Sequence, residues 1–114
     1  MRLRRWLGTG IVEAFDKRQQ ALLDHILDVV KNYYAKLHET RDCYRHPLSG
    51  ARLAKLSQRS GLRAMMAVRI LSHSVDIESE KQPPLTYERI TSERNSMHRP
   101  YRIFLRSNHT HTNR

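Results

Sequence analysis

Apolar residues recur at three- and four-residue intervals along the first third of the chain: Val12, Phe15, Leu22, Ile26, Val29 and Tyr33 form one stripe. Leu23, Val30 and Leu37 widen it. Asp16, Asp24, Asp28, Lys31 and Lys36 lie largely off that stripe. This spacing predicts a helix from about Ile11 to His38, with Thr9 as its cap and Glu13 in its first turn. About seven helical turns of apolar face exceed what one small domain ordinarily covers. The expected use of the surplus is a homodimer seam along Val12, Phe15, Leu22, Ile26, Val29 and Tyr33. Gln19 would then be a polar interruption that sets its register. The alternative is that the whole stripe packs inside one domain.

Beyond Thr40 the helical pattern breaks, and Pro47 and Gly50 bracket a short loop in which Cys43 to His46 can add a small strand. Leu48 to Ser60 reads as a second helix capped by Ser49, and Arg63 to His73 as a third. Pro83 and Pro84 end any continuation. Leu85 to Thr91 and Tyr101 to Arg106 are rich in strand formers, and in the latter Tyr101, Ile103 and Leu105 share one face. A polar, turn-rich stretch from Ser92 to Pro100 joins them. The expected class is therefore mainly α with a C-terminal β-hairpin (α+β). Residues 1–10 form a basic arm, 11–106 a single domain, and 107–114 a polar tail.

Within the domain, Leu56 to Leu71 reads as helix, tight turn, helix. Ser57 is small enough for a helix crossing. Gly61, four positions on, suits a turn through positive φ. Leu62, Ala67, Ile70 and Leu71 would dock the second helix on the first. From Cys43 to Val75 there are six Lys or Arg residues and no acidic one, a distribution suited to phosphate. An ordinary helical hairpin with solvated cations is the plainer alternative.

Over about residues 48–106 this order and pattern resembles the winged helix-turn-helix superfamily, whose members mostly bind DNA. The resemblance implies a third helix in the major groove, with Arg63 and Arg69 on base edges and Ser72 and His73 beside them. Met65 would face outward, toward a thymine methyl or a protein surface; the equal alternative is a register shifted by one, with Met65 and Met66 both in the core. Arg52, Lys55 and Arg59 would sit near phosphate, and Arg94, Arg99 and Arg102 on the hairpin would reach backbone or minor groove. Two copies joined by the first helix would read a paired half-site. The expectation is a sequence-specific or semi-specific double-stranded DNA-binding protein, a small transcriptional or replication regulator. The alternatives are a structural RNA-binding component of a ribonucleoprotein, and a phage- or plasmid-type protein-interaction factor.

Composition sharpens this picture. The 114 residues carry a net charge of +10 from 21 basic and 11 acidic side chains. Most of the excess lies beyond residue 50, which marks that half as the polyanion-facing one. No stretch approaches the roughly 20 apolar residues of a membrane span. The lone Cys43 excludes an internal disulfide and fits a reducing, cytoplasmic setting, nucleoid-associated in a bacterium or phage. The Arg-rich opening is read as an arm rather than a cleaved leader. His38, Cys43 and His46 have permissible metal-ligand spacing but lack a fourth partner. The four glycines build no phosphate loop, and no residues form a recognisable nucleophile–base set. The chain is therefore read as a non-enzyme without metal or cofactor.

Overall fold

The chain begins with a hairpin. Arg2–Trp6 (β1) and Val12–Phe15 (β2) pair antiparallel, with Leu3 opposite Ala14 and Arg5 opposite Val12. Gly8 (φ 89°) and Gly10 (φ 76°) carry the reversal in backbone conformations that a side chain would strain. A computed structural model describes residues 1–37, 45–90 and 100–106, and over these the fold is α+β, with three helices and two three-stranded antiparallel sheets. The stretch expected as a basic arm is thus the central strand of the first sheet, ordered β2-β1-β4, with Ser74–Asp76 as β4. Arg4 explains why charge did not keep this segment in solvent. Its side chain is only 4% exposed, and its Nε donates to the Ser74 hydroxyl at 2.9 Å. Burial pushes the Arg4 pKa below its ordinary value; the Arg2 charge pushes the same way, and Asp24 opposes them. Asp76 pairs with Arg2 beside it.

Helix α1 spans Lys17–Leu37 and starts six residues later than the apolar period suggested. Asp16 stops the strand and caps the helix. Its carboxylate accepts from the Gln19 amide at 2.8 Å, while the Gln19 side chain accepts from the Asp16 amide at 2.9 Å. The buried face of α1 is Leu22, Leu23, Ile26, Val30 and Tyr34, and these side chains form the core with α3 and the second sheet. The expected surplus of apolar surface is therefore consumed within one chain. Phe15, Leu22 and Ile26 are buried, Val29 and Tyr33 pack against the core, and Val12 is half exposed on β2. That removes the premise for a dimer seam along this stripe.

Leu48–Ser49 (β3) leads into α2, Gly50–Ser57, whose first turn is capped as expected by the Ser49 hydroxyl, accepting from the Arg52 amide at 3.1 Å. Ser57 is buried at the crossing, and its carbonyl accepts from His25 Nε2 of α1 at 2.9 Å. The turn itself differs from the expectation. Its left-handed residue is Gln58 (φ 57°, ψ 42°), and the Gln58 and Arg59 amides return to the carbonyls of Lys55 and Ala54. Gly61 instead begins α3 (Gly61–His73), where Ser60 caps by accepting from the Arg63 amide at 3.1 Å.

Helix α3 buries Ala64, Ala67, Val68, Leu71 and Ser72. This face is rotated from the expected one. Leu62 is 82% exposed rather than docked, and Ala64 faces the core. Leu85–Arg89 (β5) and Tyr101–Leu105 (β6) form the expected C-terminal hairpin, and β3 joins its far side to give the order β3-β6-β5. Tyr34 of α1 ties this sheet to the helices. Its hydroxyl donates to the Ile103 carbonyl at 2.6 Å and accepts from the Leu48 amide at 2.9 Å.

Tyr34→Phe should cost about 1–3 kcal/mol in urea unfolding, because two buried backbone groups lose their partner while ring packing is kept. The turn should respond the opposite way to a glycine scan. Gln58→Gly should stabilise by about 1 kcal/mol by relieving a left-handed side chain. Gly61→Ala should stabilise by roughly 0.5–1 kcal/mol, since the added methyl meets open space on a helical backbone. A loss of stability in Gly61→Ala would restore Gly61 as the strained residue of the turn.

Candidate functional site

The outward face of α3 is the place where unpaired charge and uncovered apolar surface meet. Leu62, Met66, Arg69 and His73 follow one another at helical spacing along it, with Arg63 alongside, and all are exposed. Arg52, Lys55 and Arg59 are exposed on α2 and the turn. Arg52, Lys55, Arg63 and Arg69 are ion-paired with no described residue. Arg59 turns back to donate to the carbonyls of Ser57 and Gln58. Arg63 and Arg69 remain on the surface because the buried face of α3 is made of small and aliphatic residues, which leaves its long side chains no inward position.

The other expected contacts fall differently. Ser72 is turned into the core, where its hydroxyl donates to the Val68 carbonyl at 2.7 Å, so it cannot read a ligand at the surface. Met65 is half-buried and packs against Gly50 rather than standing outward; Met66, 47% exposed, takes the outward position. His73 is exposed, and its Nδ1 donates to the Arg69 carbonyl at 3.0 Å. Arg102 lies on the hairpin face away from α3, 3.4 Å from its cross-strand partner Glu88. Arg94 and Arg99 lie outside the described residues, as do His38 and Cys43 of the metal reading. Among the described residues no group of three or more His, Cys, Asp or Glu could hold a metal ion.

The two flanks of α3 are not equivalent. On the first, the β1–β2 hairpin approaches, tied by the Leu7 amide donating to the His73 carbonyl at 2.7 Å. Trp6 and Glu13 line both grooves on that side, and Asp16 lines one of them. On the second, an open cleft of about 590 Å³ runs between α3 and the β5–β6 hairpin. Leu62, Met65, Met66, Arg69, His73, Tyr87, Arg89 and Tyr101 line it, and none is a carboxylate. Tyr87 stands edge-on to both His73 and Tyr101, with ring centres 5.9 and 5.7 Å apart. Arg89 donates to the Tyr101 hydroxyl at 2.7 Å and lies 5.3 Å from the ring centre.

Sequence reasoning named none of Leu62, Tyr87, Arg89 or Tyr101 as site residues. The available signal was period-two alternation. Tyr87 and Arg89 share one face of β5, and pairing brings them beside Tyr101 and Ile103. No protein-family model, curated protein or solved structure matches this chain. No helix among the described residues is long and apolar enough to cross a membrane.

Proposed function

We propose that this chain is a double-stranded DNA-binding protein of the winged helix-turn-helix type, with α3 as the element that enters the major groove. One observation carries the reading. The α2–turn–α3 unit displays Arg52, Lys55, Arg63 and Arg69, each exposed and without an ion-pair partner among the described residues, and no acidic residue occurs from 45 to 75. Nothing within that unit neutralises the charge, so a polyanion is the natural partner. The order of elements supports the same reading. Helix, short strand and two helices occur in turn, then β4 of the first sheet and the terminal hairpin, and the short strand β3 pairs with β6. In this assignment Arg63 and Arg69 reach base edges, with Met66 and His73 beside them. Arg52 and Lys55 lie along phosphate.

A second reading rests on Leu62. A leucine this exposed at the start of α3 is also what a protein partner would cover, and it accommodates an interaction factor that carries no nucleic acid.

Fluorescence anisotropy with labelled duplex DNA across a salt series separates them. Arg69→Ala should weaken a preferred duplex by roughly 1–3 kcal/mol, as for loss of a paired base contact. Lys55→Ala should weaken all duplexes alike and flatten the dependence of log affinity on log salt by about one. Duplex affinity that ignores salt, or that survives Arg63→Ala and Arg69→Ala unchanged, would remove the DNA reading and leave the protein-docking one.

A further inference from the structure

We propose that the cleft between α3 and the β5–β6 hairpin holds an unpaired nucleobase, so that the preferred DNA carries a single-stranded stretch. This rests on the DNA-binding reading above and specifies the form of nucleic acid that the site takes.

Three features of the cleft point there. Its volume, about 590 Å³, exceeds the roughly 420 Å³ of each groove on the other flank and leaves room for a planar base. Its lining is chemically mixed in a particular way: Met65, Tyr87 and Tyr101 supply apolar and aromatic surface, while Arg69 and Arg89 supply charge. A stacked duplex shows a protein its phosphates, base edges and thymine methyls, but keeps the base faces that could cover Tyr87 and Tyr101 buried in the stack. An unstacked base offers a π-face to cover them and a phosphate to meet the arginines. Arg89 is held by the Tyr101 hydroxyl and ring, which orients a planar guanidinium in advance for stacking or for phosphate.

The choice of flank is electrostatic. Glu13 lines both grooves on the β1–β2 side of α3 and would repel a phosphate there. The hairpin cleft has no carboxylate in its lining. Glu88, the acidic residue of β5, faces the opposite side of the hairpin and is engaged by Arg102.

The test uses the full chain and fluorescein-labelled probes at one salt concentration: (dT)15, which has no secondary structure, and a 15-base-pair duplex. The expected result is that (dT)15 binds at least as tightly as the duplex. Tyr87→Phe keeps the ring face and should retain this binding, whereas Tyr101→Phe keeps the ring but releases Arg89 and should weaken (dT)15 about twofold. Tyr87→Leu with Tyr101→Leu should weaken (dT)15 by roughly tenfold while changing duplex affinity less than twofold. Arg89→Lys, at an exposed position with little bearing on folding, keeps the charge and loses the plane. It should weaken (dT)15 about fivefold and leave the duplex within twofold. If the duplex binds and (dT)15 is more than tenfold weaker, the inference falls and the DNA-binding reading stands. Equal losses on both probes, in variants that melt like the parent, would make the cleft part of a duplex surface and overturn it too. No binding to either probe would overturn both readings.

Discussion

The Tyr34 hydroxyl is the contact on which the arrangement of helices and second sheet depends. It stands between β3 and β6 where Leu48 pairs with Ile103, donating to one strand and accepting from the other. Both Leu48 and Ile103 are fully buried, so neither backbone group could turn to water instead. The bond therefore sets how far α1 lies from the sheet. It also sets where the hairpin sits relative to α3, because Leu85, Ile103 and Val68 meet in the same core.

Helix α3 shows how a core requirement leaves a functional face behind. Ala64, Ala67 and Val68 allow close approach to α1 and α2, and so confine the longer residues to the outer half of the helix. Arg63, Met66 and Arg69 are on the surface for that reason. Leu62, at the first turn, lies beyond the reach of the packed helices. The exposed surface thus mixes charge with apolar area, a combination suited to nucleic acid that offers both phosphate and base.

The first sheet plays a different part. Arg4 sits in its middle strand, and Ser74, the residue that follows α3, provides its hydrogen-bond acceptors. Ser74 also donates from its hydroxyl to the Ile70 carbonyl at 2.6 Å. The N-terminal hairpin is therefore fastened to the end of α3, and its Glu13 makes one flank of that helix unfriendly to anions. A single buried arginine links the opening residues to the polarity of the site.

Much of the fold was legible because it is local. Ser49 announced the start of α2, the three-four period marked α1 and α3, and the strand-forming runs at Leu85 and Tyr101 marked the terminal hairpin. The reciprocal cap of Asp16 and Gln19 was legible too, and weighing it would have started α1 at its true position and freed Val12–Phe15 to be a strand. The long-range features were not. An arginine-rich segment reads as solvated until a serine seventy positions away supplies the acceptors that let Arg4 be buried. Gly61 was the obvious residue for positive φ, yet the carbonyls of Ala54 and Lys55 captured the chain three residues earlier, at Gln58. The apolar stripe of α1 showed that the helix must be covered, and only the packing of α3 and β6 decided that its own chain covers it. The distribution of basic residues belonged to the sequence. Which of them share a surface, and the clearing of carboxylates from one flank of α3, came from strand register and helix rotation, which arise from contacts between residues far apart in the chain.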